Sequence, residues 1–401
     1  MHYRMNIIHP RTQAEAVEIL AAVGVDPYGI DAMLPKMQHL CLMLEAVSCK
    51  IANIVKQEML SLGGDAAVAR GTVDCSAVHT DVVLMGTRKQ IDRFADKIAA
   101  QPFGLREISQ SIKRLTANLQ LDCWKLRTAR RTLNLGARVL VMGIVNMTPD
   151  SFSDGGRFRS PEEAVEFAVA MSESGADFID VGGESSRPGA APITLEEELN
   201  RVLPVIRGIV SRCKRPVSVD TYKSEVAKRA LEEGAEIVND ISALRFDDSM
   251  SGIVSRAGAS VILMHMRGTP ANMQSGDLSY KSVPGEIVKF LGERIDFAVA
   301  HGIERECTIV DPGIGFGKTG EDNLKILRRL GEFRQLGRPV MTGVSRKSFI
   351  GSLTGGDPAQ RMEGTAAAVT AAVIGGSQIV RVHDVKEMAK VVRVAEAILH
   401  S

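Results

Sequence analysis

The sequence predicts an α/β chain: a (β/α)8 TIM barrel over residues 138–401, preceded by a small N-terminal α+β domain. Three observations carry this expectation. From residue 138 onward, short apolar runs alternate with helix-length amphipathic segments to the end of the chain. Eight such units fit in that stretch, which is close to the roughly 250 residues a (β/α)8 barrel needs. Polar clusters rich in Gly, Asp, Arg and Lys follow the runs, at the end where a barrel gathers its functional loops. A doubly wound open sheet permits the same alternation, but it does not explain polar residues after every strand.

The elements follow in order. Residues 1–121 read as helix over Gln13–Val23 and Asp31–Leu62, strand over Ala66–Val73 and Asp81–Gly86, and helix again over Thr87–Ala100 and Leu105–Leu121. Residues 122–137 hold the single tryptophan, Trp124, and a basic run, Arg127–Arg131. They read as a connector whose basic run is solvated. The barrel strands are expected at Arg138–Val145, Phe178–Val181, Val217–Val219, Glu236–Val238, Ser260–Met264, Thr308–Val310, Pro339–Thr342 and Gln378–Val382. A Gly-Ala pair stands before three of them, at Gly175, Gly234 and Gly258. Glycine there can end the preceding helix in the left-handed conformation. Ser160-Pro161-Glu162-Glu163 and Thr194-Leu195-Glu196-Glu197 carry the pattern of a helix start, with a hydroxyl three residues before a carboxylate.

Composition narrows the function. Lys and Arg (49) nearly cancel Asp and Glu (48), for a net charge of +1. This speaks against nucleic acid as a partner. No apolar run approaches the ~18 residues that span a bilayer, and the segment Met1–Met5 lacks the apolar core of a signal peptide. The six cysteines form no C-x-x-C pair, so a structural zinc site is not expected. Scattered cysteines in a long chain read as reduced and cytoplasmic.

The chemistry is concentrated after the strands. The first strand leads into Asn146-Met147-Thr148-Pro149-Asp150-Ser151-Phe152-Ser153-Asp154-Gly155-Gly156, and the second into Gly182-Gly183-Glu184-Ser185-Ser186-Arg187-Pro188-Gly189. Strands three and four end at Asp220 and Asn239, and strand five at His265-Met266-Arg267. Strand six ends in Asp311-Pro312-Gly313-Ile314-Gly315-Phe316-Gly317-Lys318, strand seven leads to Ser345-Arg346-Lys347, and strand eight ends in Arg381-Val382-His383. Arg187, Lys347, Arg381 and His383 on one rim repel each other unless an anion sits among them, and guanidinium forks match phosphate oxygens. Asn146 offers a neutral oxygen to a hard cation such as Mg²⁺, which keeps much of its water and bridges to a diphosphate. Asp220, Asn239 and Asp311 suit the N–H donors of a nitrogen-rich heterocycle. Taken singly, Asp220 and Asp311 also suit helix caps, Lys347 a structural ion pair and His383 a rim position. His265 and Arg267 fit a site by position but have no assigned chemical need, and Gly313–Gly317 would serve a turn equally well.

At these residues the sequence resembles the dihydropteroate synthase family. Gly143–Gly156 is similar to its first signature and Ile179–Gly189 to its second, and Asp311–Thr319, Ser345–Gly351 and Arg381–Asp384 complete the set. The resemblance covers about residues 138–401. It implies a transferase of folate biosynthesis that joins 7,8-dihydropterin-6-ylmethyl diphosphate to p-aminobenzoate. It assigns the pterin to Asp220, Asn239, Asp311 and Lys347, and the diphosphate with Mg²⁺ to Asn146, Arg187, Arg381 and His383. p-Aminobenzoate would lie near Phe152, Ser186, Pro188, Phe316 and Ser345. Sulfonamide sensitivity and a homodimer are further implications. One departure is Ser186, where the family usually has threonine. A pterin-binding methyltransferase barrel would share the aspartates but would have no use for Lys347 or the Arg381/His383 pair. A non-catalytic pterin sensor would show decay of these residues, and none is seen. The extension before the barrel carries no recognised enzyme motif and is expected to serve structure or assembly.

Overall fold

The computed structural model describes residues 4–10, 12–147, 158, 160–187 and 189–400. It divides into two compact units, Met1–Gln120 and Leu121–Ser401.

The first unit has helices α1 (Gln13–Ala22), α2 (Pro27–Met37), α3 (Cys49–Ser61), α4 (Arg88–Ile98) and α5 (Leu105–Asn118), with strands β1 (His39–Ser48), β2 (Asp65–Ala67) and β3 (His79–Thr87). The strands form an antiparallel sheet in the order β1-β3-β2. One face is buried: Leu42, Ala66, Val82 and Leu84 meet Val55 and Met59 of α3, Phe94 and Ile98 of α4 and Ile112 of α5. The expected helix Asp31–Leu62 is therefore wrong, because a ten-residue strand divides it. The segment His39-Leu-Cys-Leu-Met-Leu-Glu-Ala-Val-Ser48 is built largely of good helix formers. Pairing with the β-branched strand β3 overrides that preference. The ladder slips between Leu44 and Val47, where Ala46 takes a left-handed backbone and donates its N–H to Asp81 Oδ1 at 2.8 Å. The expected strand Ala66–Val73 shrinks to β2 followed by a 3₁₀ turn at Arg70–Thr72. Two cysteines expected as thiols, Cys49 and Cys75, are joined in a disulfide.

The second unit begins with a hairpin, β4 (Trp124–Arg127) and β5 (Thr132–Leu135). Eight parallel strands follow: β6 (Leu140–Asn146), β7 (Phe178–Gly182), β8 (Val217–Asp220), β9 (Ile237–Asp240), β10 (Ser260–Met264), β11 (Thr308–Asp311), β12 (Met341–Gly343) and β13 (Ile379–Val382). Their order is β11-β10-β9-β8-β7-β6-β13-β12, and a parallel bridge between Val310 and Val340 joins the two ends. This is the expected barrel. The main helices around it are α6 (Pro161–Glu173), α7 (Leu195–Arg212), α8 (Ser224–Glu232), α9 (Met250–Ala257), α10 (Val283–Ala300), α11 (Gly320–Arg328), α12 (Ser348–Thr354), α13 (Met362–Ile374) and α14 (Val385–Leu399). Ser160 and Thr194 cap α6 and α7 through their hydroxyls. Gly175, Gly234 and Gly258 have the left-handed backbone that the Gly-Ala pairs predict.

The period-two alternation of a strand places the site. On each strand one set of residues faces the helices and the other faces the barrel axis. The lowest inward layer is apolar: Met142, Phe178, Ile237, Ile262, Ile309, Met341 and Ile379. The hairpin plugs this end, burying Trp124, Leu126 and Leu135 against the same layer. Residues 122–137, read from sequence as a connector, are thus part of the barrel's core. The arginines of their basic run are exposed, as expected, and two of them are also paired: Arg131 Nε donates to Glu236 Oε2 at 3.0 Å, and Arg127 pairs with Glu304.

Candidate active site

Two residues further along, the inward layer turns polar on five of the eight strands. It presents Asp180 from β7, Asp220 from β8, Asn239 from β9, Asp311 from β11 and Arg381 from β13. With Ser186, Ile241, Met264, Ile314, Phe316, Gly343 and Lys347, these residues apart from Asp180 line one narrow cleft. Seven of the expected site residues are brought together here: Asp220, Asn239, Asp311, Lys347, Arg381, Phe316 and Ser186.

Arg381 is the hub. Its Nε donates to Asp180 Oδ2 at 2.6 Å, and Nη2 donates to Asp220 Oδ2 at 2.7 Å. Asn239 Nδ2 donates to the same Asp180 oxygen at 3.1 Å. Burial works against the Arg381 charge, yet the two carboxylates hold it above its usual range. Asp220 feels burial first and is pushed up to about 7, against the pull of Arg381. Asp311 is likewise raised by burial, although its Oδ1 accepts from Gly313 N–H at 2.7 Å. Lys347 is lowered by burial to about 8, and its Nζ lies 4.3 Å from the centre of the Phe316 ring. The cleft therefore holds two ionisable groups, Asp220 and Lys347, near neutrality, a common property of catalytic sites.

The remaining expected residues lie around this cleft. Asn146 ends β6, where its Oδ1 and Asp220 Oδ2 both flank Gly182. Ser345 Oγ lies 3.0 Å from His383 Nδ1 and accepts from the His383 backbone N–H at 3.2 Å, so these two rim residues are held together. Arg187 is exposed on the loop after β7. Phe152 and Pro188 lie outside the described residues.

Residues 142–383 match the pterin binding enzyme family. A dihydropteroate synthase from Synechocystis sp. is 46% identical over 264 residues, which is 66% of this chain and 91% of that protein. The chain belongs to the dihydropteroate synthase family. A solved dihydropteroate synthase from Xanthomonas albilineans, with 4-aminobenzoic acid, has a TM-score of 0.64 at 43% identity, covering 69% of this chain and 99% of its own. One further relative reaches beyond the barrel. A probable bifunctional folylpolyglutamate synthase/dihydropteroate synthase from Halobacterium salinarum is 40% identical over 386 residues, or 96% of this chain. An alignment of that length takes in most of the first unit as well. This chain spans 46% of that protein's length.

Asp180, Glu184 and Lys318 lie within the family's signatures, and the sequence alone assigns none of them a role. Asp180 is fully buried, and its Oδ1 has no hydrogen-bond partner among the described residues. A carboxylate between Ile179 and Val181, at an inward position of a buried strand, was the available signal. Glu184 anchors the second loop. Lys223 Nζ donates to Glu184 Oε2 and Glu198 Oε2, both at 2.7 Å, and to Ile193 O at 2.8 Å. One ammonium thus ties both ends of that loop to the start of α8.

Proposed function

We propose that this family member condenses 7,8-dihydropterin-6-ylmethyl diphosphate with p-aminobenzoate, giving 7,8-dihydropteroate and diphosphate. The single observation that carries this is the polar ring of Asp220, Asn239, Asp311, Lys347 and Arg381 in one cleft at the C-terminal barrel mouth. Asp220, Asn239 and Asp311 accept from and donate to the pterin's amino and ring nitrogens, and Lys347 closes that pocket from beside Phe316. Asn146, Arg187, Arg381 and His383 take the diphosphate. Ser186, Phe316 and Ser345, with Phe152 and Pro188, form the p-aminobenzoate side.

In this scheme the bond between the pterin methylene carbon and the diphosphate oxygen breaks, and the electron-rich ring spreads the positive charge left on carbon. Cationic side chains stabilise the leaving diphosphate, a preorganised electrostatic effect. The aniline nitrogen then forms the new bond to the methylene carbon and loses a proton. No protein nucleophile enters. Among the described residues no group of three His, Cys, Asp or Glu side chains could hold a metal by itself. Asn146, with one neutral oxygen at the rim, fits a Mg²⁺ ion that arrives on the diphosphate and keeps most of its water. When bound, that ion would neutralise charge on the leaving group.

A cytoplasmic homodimer completes the proposal. Among the described residues no helix is long and apolar enough to cross a membrane. Helix α14 exposes Val394, Ala397 and Ile398 beside Lys390 and Arg393, a small apolar patch that a second copy could cover. The activity is tested by following diphosphate release from the pterin diphosphate in the presence of Mg²⁺. Release should require p-aminobenzoate; no release, or release indifferent to the amine, sinks the proposal.

A further inference from the structure

We propose that Lys318 is a positioning residue for this condensation: its buried ammonium, partnered by His265, holds the glycine-rich loop after β11 as the wall that sets Phe316 and Lys347 against the substrates. The inference rests on the function proposed above and extends it to a residue outside the cleft lining.

Lys318 is only 2% exposed. Its bonded partners among the described residues are dipoles, not carboxylates. Nζ donates to Gly313 O at 2.8 Å, Phe316 O at 2.9 Å and His265 O at 3.2 Å, and lies 2.9 Å from His265 Nδ1. An ammonium has three N–H donors, so all of them are engaged. Burial keeps His265 well below its usual value and therefore neutral, which leaves a lone pair for the cation. Burial also draws Lys318 down to about 7, and the nearby Asp311 carboxylate opposes that by favouring its charge.

The loop is built to wrap this group. Gly313, Gly315 and Gly317 all have positive φ. A side chain at Gly313 would meet His265 O at 2.0 Å, and one at Gly317 would meet Arg267 Cβ at 2.9 Å. A simple helix start does not need this, because Thr319 and Asp322 already cap α11 reciprocally. The outer surface of the wrapped loop is what the substrates meet. Phe316 lies under Lys347 Nζ at 4.3 Å, and a Cβ at Gly315 would be 3.2 Å from Lys347 Cδ. Without the ammonium, the buried carbonyl oxygens of His265 and Phe316 lose their donor, and Gly313 O keeps only the Phe316 N–H at 3.1 Å. They would turn toward water and carry Phe316 with them.

The test uses the full chain with Lys318→Ala and Lys318→Met. Both should raise KM for p-aminobenzoate about tenfold while kcat changes less than about threefold. Lys318→Ala leaves a space shaped like n-propylammonium, so added n-propylammonium should restore its KM and n-propanol, of equal size but with one donor, should not. Lys318→Met retains the apolar stem and keeps the test valid if the alanine variant fails to fold; it should show the KM rise without rescue. Unchanged KM in a folded variant overturns the positioning role, as does equal rescue by the alcohol. An unsubstituted chain that makes no dihydropteroate would instead overturn the proposed function.

Discussion

The closed sheet of the barrel and the open sheet of the first unit treat charge in opposite ways. In the barrel, eight strands surround an axis, so Asp180 and Asp220 can face Arg381 across it, the first fully and the second largely buried. In the first unit, three strands bury one face, and among the described residues that core holds no charge: Leu42 to Ile112 are apolar, and the buried polar residues are Thr72, Thr80, Ser109 and Thr116. Its other face carries Met43, Val83 and Ala67 in register, with Met43 and Ala67 exposed. A closed ring can stabilise a network of opposed charges that a one-sided sheet would leave to water. This is why every residue proposed for chemistry belongs to the second unit, although the Halobacterium relative shares most of the first.

Truncation gives the largest test of that contrast. A chain starting at residue 121 keeps the hairpin and should fold, with kcat/KM within about threefold of the full chain. A chain starting at residue 138 loses Trp124, Leu126 and Leu135 from the barrel floor. Each large buried side chain removed costs about 2–5 kcal/mol, so the total is on the order of 8 kcal/mol. That is comparable to the whole stability of a typical domain, and this chain should aggregate or melt near ambient temperature. Thermal denaturation and turnover on both chains decide the matter. An inactive but folded 121–401 chain would mean that the first unit belongs to the catalytic apparatus.

Arg381→Ala comes next. It strips the cation from Asp180, which is fully buried, and from Asp220, which is largely buried, and breaking such a pair costs about 3–5 kcal/mol. The expected loss in kcat/KM is about 10³-fold. Affinity for the pterin diphosphate should fall more than affinity for the free pterin, measured by calorimetry. Equal losses would remove the diphosphate role from Arg381 and leave it as a support for Asp220 alone.

These two tests also separate what the sequence could convey. The barrel strands were legible because each is a short apolar run bounded by turn residues, and the site because polar residues recur just past those runs. β1 was not legible, since Leu, Met, Ala and Glu favour helix and only its partner β3 makes it a strand. The disulfide was hidden by a separation of 26 residues with no motif around it. Asp180 was hidden differently: its neighbours made it look like part of a strand, and its purpose appears only when Arg381, 201 residues away, comes within reach.

The pH dependence sharpens the contrast inside the barrel. Asp220 has its folded value raised to about 7, so its contribution to stability is full below the unfolded value and is lost as pH rises through about 7. Pterin recognition has the opposite sign, because N–H donors need the ionised carboxylate. Lys347, lowered to about 8, keeps its charge below that pH. Free-pterin affinity should therefore peak between about 7 and 8, falling toward tenfold per pH unit on the acid side. Asp220→Asn should bind more weakly and flatten the acid limb. An acid limb that persists in that variant would assign the titration to another group.

Ser186→Thr should give the smallest effect. Ser186 is half-buried where the second loop meets the cleft, beside Asp220 and Ile241. Threonine keeps the hydroxyl, adds one methyl, and restricts rotation about χ1 because it is β-branched. A buried methyl contributes about 0.8 kcal/mol, which sets a ceiling of about fourfold. The expected result is a two- to threefold lower KM for p-aminobenzoate with kcat unchanged. A change in kcat would place Ser186 closer to the reacting atoms than this geometry implies. A raised KM would mean that the loop has adjusted to serine and no longer has room for the methyl.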